Sequence, residues 1–185
     1  MSEKLITKNE ENGNVIQNKK LYDAFVKTEE KSQEIKKWVF EKSKRKLIAS
    51  RLEWFMLDKA QRDAFLSAEE LLKNITNDDQ LKTLLLKKAR ELDEQFDKEY
   101  ENLKNEAKEI FENYDLTDED IRNALTFTYY DYYIERYLYT LARAYIILNN
   151  LPFSKLEQFN FKKISNRRTT KNHIAWLEFF SPEIK

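Results

Sequence analysis

Asp131 and Glu135 stand one helical turn apart, so their carboxylates share a side of any helix built over them. Two such groups could ligate a metal or move a proton. Acids make up 33 of 185 residues, however, and one more pair carries little information. Pairing with arginines at a wet edge is the preferred reading, with Arg136 and Arg143 expected on a different side of the same helix. His173 is the only histidine and has no predicted partner, so it reads as a surface or boundary residue. One histidine cannot build the paired Glu-x-x-His motifs of di-iron bundles or a two-histidine zinc motif. The chain has no cysteine, which removes disulfides, thiolate metal sites and a cysteine nucleophile. Gly13 is the only glycine, which excludes the glycine-rich phosphate loops of P-loop and dinucleotide folds. No catalytic residue, cofactor ligand or metal ligand is nominated, and a non-enzymatic role is expected.

Charge supplies the binding candidates. Lys36, Lys37, Lys42, Lys44, Arg45, Lys46 and Arg51 face only Glu41 within residues 36–51, and Lys37, Lys44 and Arg51 recur every seven residues along one side. Lys162, Lys163, Arg167, Arg168 and Lys171 form a second basic set with no acid among them. Thr169 or Thr170 can cap a short final helix carrying Ile174, Trp176, Leu177, Phe179 and Phe180, so this basic loop would lead into a helix N-terminus, a pattern suited to phosphate. Solvated helical faces explain both sets as well. In the opposite sense, residues 91–120 hold thirteen acids against Lys98, Lys104 and Lys108, a charge of −10 in a chain whose formal net charge is zero. Attraction between acidic and basic faces, inside the fold or across a dimer, is slightly preferred over steering of a partner. Glu94, Asp97, Glu101 and Glu109 are the residues chosen for a partner-binding role.

These residues must be positioned by helices. Two prolines and one glycine in 185 residues leave few breakers. The organising stretch is Leu116 to Pro152, read as one long, mostly buried helix. Thr117 and Asp120 form a capping-box pattern, Leu116 and Ile121 a hydrophobic staple, and Asn149, Asn150 and Pro152 a stop. Roughly 32 residues would span about 48 Å. Phe127, Tyr130, Ile134, Leu138, Leu141, Tyr145 and Leu148 make one apolar stripe, and Leu125, Tyr129, Tyr132, Tyr133, Tyr137 and Tyr139 cover much of the rest. Seven of the ten tyrosines fall between Tyr129 and Tyr145. Core and boundary positions, with hydroxyls reaching water, are preferred for them over a ligand pocket or nucleobase stacking. Asp131, Glu135, Arg136 and Arg143 break any transmembrane run.

Upstream, Leu81, Leu85, Leu92, Phe96, Leu103, Ala107, Ile110 and Tyr114 form the stripe of a helix over Asp78–Asn113, capped by the Thr76–Asp79 stretch. It should pair with the central helix as an antiparallel hairpin packed in coiled-coil fashion. Ser67, with Glu70 three residues on, predicts a fresh N-terminus and a separate short helix, Ala68–Ile75. Residues 19–66 read as two helices or one bent helix, because the stretch from Glu41 to Lys46 has no apolar residue. Asn12-Gly13 allows a small hairpin in residues 1–18, though a loose arm is preferred. Gln158–Phe161 alternates and suggests a short strand beside that hairpin.

The expected architecture is all-α: an elongated helical bundle built on a long antiparallel hairpin, with a minor β-hairpin as an option. Residues 1–18 form an arm, 19–152 the bundle, and 153–185 a basic segment whose short helix packs on it. No signal peptide is visible, and a cytoplasmic location inside a host cell is expected. The expected function is a non-enzymatic interaction protein that binds a protein partner or itself, with no cofactor and no membrane. Small accessory, inhibitor and structural proteins of phages and plasmids share this build, which is an analogy only. The alternative is a nucleic-acid-binding protein using residues 36–51 and 162–171, provided the two basic sets share a face.

Overall fold

The structure is a computed structural model that describes residues 7–8, 15–39, 44–112 and 115–164. The fold is all-α. Four long helical stretches run up and down: α1 (Lys19–Val39), α2 (Lys44–Leu72), α3 (Asp78–Ile110), and a fourth made of α4 (Asp118–Thr128), a π-helical turn (Tyr129–Ile134) and α5 (Glu135–Leu148). A 3-10 turn (Phe153–Gln158) and the short α6 (Phe161–Ile164) follow. Two-residue strands β1 (Thr7–Lys8) and β2 (Val15–Ile16) pair antiparallel, Thr7 opposite Ile16.

Side-chain contacts give the directions. Phe25 meets Phe65 edge-on at 5.8 Å and Glu29 pairs with Arg62 at 3.5 Å, so α1 and α2 are antiparallel. Lys88 lies over the Tyr137 ring, Phe96 against Tyr129 and Tyr130, and Arg122 over Tyr100, so α3 opposes the fourth stretch along its length. This is the expected antiparallel hairpin. The centre of the bundle is the α2–α5 contact, and Met56 and Phe65 of α2 and Leu138 and Leu141 of α5 are completely buried.

The helix ends follow local chemistry. Asn18 caps α1 through its side-chain oxygen, which accepts from the Lys20 and Leu21 amides. Asn77 caps α3 by accepting from the Gln80 amide at 2.9 Å. Thr117 and Asp120 form the reciprocal capping box, each bond 3.1 Å. At the far end the Leu151 amide donates to Ile146 and the Asn150 amide to Ile147, the paired bonds of a Schellman motif. Asn150 takes the left-handed conformation this requires, with φ 54°.

Several expectations need correction. Helix α2 runs through Ser67 to Leu72 without a new N-terminus. Ser67 does not cap; it shares a hydrogen bond with Tyr137, while Phe65, Leu66 and Ala68 around it are buried and hold the helix in place. Gln158–Phe161 is no strand. It spans the end of the 3-10 turn and the start of α6, and Phe159 and Phe161 sit side by side with rings 5.7 Å apart. The arm is not loose at its inner end, since Ile16 is fully buried and the Gln17 and Asn18 amides both donate to Glu69. Helix α3 ends at Ile110, which is half-buried, and Tyr114 lies outside the described residues. Among the described residues no helix is long and apolar enough to cross a membrane.

Candidate functional site

The tyrosines of the fourth stretch are structural to an unexpected degree. Tyr129 donates to the Leu92 carbonyl at 2.8 Å, Tyr130 to Asp93 at 2.6 Å and Tyr133 to Asp63 at 2.6 Å. Their hydroxyls therefore bind neighbouring helices rather than water. Burial pushes the Tyr129, Tyr133 and Tyr137 phenols well above their usual range, and Asp63 adds to this at Tyr133. Tyr129 and Tyr133 stack at 4.9 Å with a 14° angle between rings. This anchored set brackets the π-helical turn. Immediately before that turn Thr128 donates to the Ala124 carbonyl at 2.8 Å, a bond that competes with regular helix geometry. Single π turns inside helices occur frequently at functional sites.

The outer side of that turn opens on a polar cavity of about 490 Å³. Asp131, Tyr132, Glu135, Arg136 and Tyr139 line it from the fourth stretch, Leu57 from α2, and Phe161 and Lys162 from α6. Asp131 and Glu135 thus do share a site, but Arg136 shares it too, so the expected separation onto different sides fails for Arg136, while Arg143 lines the adjoining cavity instead. Arg136 lies over the Tyr139 ring at 5.0 Å, and burial lowers its guanidinium pKa. Tyr132 also hydrogen-bonds to Glu53 of α2. Burial raises the Glu53 carboxyl from 4.5 to about 7; the Tyr132 bond opposes that rise and the Asp131 charge adds to it. Glu53 escaped the sequence reading because nothing local links it to Asp131, 78 positions away. No group of three or more His, Cys, Asp or Glu among the described residues is placed to hold a metal ion.

An adjoining cavity of about 620 Å³ is walled by Tyr139, Phe153, Leu156, Phe159 and Phe161, with Arg143 and Glu157. Tyr139 and Phe161 are common to both cavities. The Pro152 turn sends the chain back across α5, and Lys155 secures it by donating to Asp78 of α3 at 2.9 Å.

The acidic candidates lie elsewhere. On α3, Leu85, Ala89, Leu92, Phe96, Leu103 and Ala107 are buried. Glu94, Asp97, Glu101 and Glu109 are all exposed. At about 100° per residue these four fall within an arc of about 120°, centred opposite the buried stripe. None of them forms an ion pair with a described residue, whereas Lys88 pairs with Glu91 and Lys108 with Asp118 nearby.

The basic candidates are only partly described. Lys37, Lys162 and Lys163 are exposed and Arg51 is half-buried. Lys42, Arg167, Arg168 and Lys171 lie outside the described residues, as do His173 and the side chains of Lys36, Lys44, Arg45 and Lys46. Lys162 shares a cavity with Leu57 of α2, which brings this one member of the second basic set to the helix that carries Arg51. No family model, no curated protein and no solved structure matches the chain.

Proposed function

We propose that the chain is a non-enzymatic interaction protein whose α3 outer face binds a basic protein surface. The observation that carries this reading is the stripe Glu94–Asp97–Glu101–Glu109, exposed, diametrically opposite the buried stripe and without described counter-ions. Like charges held along one rigid helix repel one another, and a cationic partner relieves that repulsion while being steered onto the face. The anchoring of α3 to the fourth stretch by Tyr129 and Tyr130 supports the reading, because it keeps the face straight and preorganised. A second copy of the chain, presenting a basic surface, satisfies the same chemistry.

The test is affinity capture from source lysate, in nuclease-treated and untreated halves, with sedimentation of the purified chain alongside. The bait is compared with the variant Glu94→Lys/Asp97→Lys/Glu101→Lys/Glu109→Lys, whose fold is checked by circular dichroism. Exposed positions should tolerate the changes. A nuclease-resistant protein partner, or a self-association, that the variant loses supports the reading. Equal capture and equal sedimentation by both proteins overturn it.

A further inference from the structure

Large apolar side chains at the surface are few among the described residues, namely Leu86 and Phe153, and Phe153 is 56% exposed. Phe153 does not stand alone. It opens the 3-10 turn that folds back over α5, and it shares a cavity of about 620 Å³ with Phe159, Phe161 and Tyr139. The rings form a series: Phe159 lies 5.7 Å from Phe161, and Phe161 meets the edge of Tyr139 at 5.5 Å. Arg136 continues it, stacked over Tyr139 at 5.0 Å. Arg143, in the cavity wall, is fixed by donating to Thr28 at 3.2 Å and by lying 5.9 Å from the Phe65 ring. The volume suits a nucleotide-sized group.

Charge decides what kind of occupant fits. Among the described residues 153–164, Lys155, Lys162 and Lys163 stand against the single acid Glu157. Lys162 and Lys163 follow Phe161 directly and are exposed. Asp131 and Glu135 belong to the adjoining cavity, where Arg136 and Lys162 face them. Aromatic faces interleaved with cations are the combination that binds unpaired bases and their phosphates without reading sequence. Duplex DNA hides its base faces, so exposed rings offer it no stacking partner.

We propose that the groove between the Phe153–Gln158 turn, α6 and α5 binds single-stranded nucleic acid, with unpaired bases stacked on Phe153 and Phe159 and flanking phosphates held by Arg143, Lys162 and Lys163. This site is separate from the acidic face of α3 and stands independently of the role assigned to that face.

The test is fluorescence anisotropy with labelled 15-mers of thymidine and of uridine, titrated with the full chain at low and moderate salt. A duplex of equal length serves as the comparison. Binding should weaken with salt and favour the single strands. Phe153→Ala should lose about five-fold or more, the range of one base–aromatic stack. Phe153 is largely exposed, so this variant keeps its fold; Lys162→Glu/Lys163→Glu should lose more and flatten the salt dependence. Absence of binding at low salt overturns the proposal. So does binding that Phe153→Ala and Phe159→Ala leave unchanged, or binding that favours the duplex, since either would be charge attraction without a stacking groove.

Discussion

Replacing Glu53 by Gln should make the chain more stable at alkaline pH and leave it unchanged in acid. Burial between α2 and the π turn raises the Glu53 carboxyl from 4.5 to about 7, with the Asp131 charge adding to the rise and the Tyr132 bond opposing it. The folded chain therefore holds this proton more tightly than the unfolded chain does. The stability it contributes is fully present below the unfolded value, declines as pH rises, and is gone above the folded value. One pKa unit corresponds to about 1.4 kcal/mol, so the swing across this window is about 3 kcal/mol. Gln copies the size and neutrality of the protonated carboxyl. Wild type and Glu53→Gln should thus coincide near pH 4, diverge from pH 5 upward, and differ by about 3 kcal/mol near pH 8.5. For a chain of this length that gap is about 6–12 °C in melting temperature. The assay is urea denaturation of both proteins at half-unit pH steps, reading their difference so that other titrating groups cancel. Asp131→Asn supplies a control: removing the like charge should lower the folded pKa and narrow the window. A difference between wild type and Glu53→Gln that stays constant from pH 4 to 8.5 would refute the burial argument.

Other expectations follow from single contacts. Tyr133→Phe keeps the ring but leaves Asp63 with Lys59 at 3.7 Å as its described partner; urea denaturation should show a loss of about 1–2 kcal/mol. Thr117→Ala removes half of the capping box and should cost about 1 kcal/mol in the same assay, with faster amide exchange confined to the first turn of α4. At Asn150, where φ is 54°, Gly should be tolerated and Val should destabilise by about 1–2 kcal/mol, and comparison of their melting temperatures checks the order.

The elements that sequence reading located were those with chemistry at short range. Thr117 and Asp120 are three residues apart, and their reciprocal bonds need nothing from the rest of the chain. The Asn149–Asn150–Pro152 stop and the α3 stripe are equally local. Ser67 failed for the opposite reason: its capping signal is real, but Tyr137, seventy positions on, took its side chain. Buried Phe65, Leu66 and Ala68 then made continuation of the helix more favourable than a new start. Phe159 and Phe161 misled because an alternating pattern of two residues is too short to distinguish a strand from a turn that places both rings on one side. The cavity beside the π turn was half legible. Asp131 and Glu135 were visible as a pair, but Glu53, Leu57 and Lys162 arrive from α2 and α6, and no spacing rule connects them.

The zero net charge of the chain conceals an uneven arrangement among the described residues. Neutralisation within the molecule would require cationic side chains to reach the outer stripe of α3. The two described ion pairs that tie α3 to later elements, Asp78 with Lys155 and Lys108 with Asp118, lie near its two ends, leaving Glu94, Asp97 and Glu101 between them. The Lys155 bond also holds the Phe153–Gln158 turn over α5, by the N-terminal end of α3, while the acids follow toward the other end of that helix. Lys88 lies over the Tyr137 ring, two residues from Tyr139 of the groove, and from Lys88 to Glu101 the α3 axis rises about 20 Å, more than two Debye lengths at physiological salt. At that separation the aromatic groove and the middle of the acidic stripe barely sense one another through solvent. Reversing charge on one should therefore leave ligand affinity at the other within about two-fold, and a larger effect would mean that the two surfaces act on one ligand rather than on two.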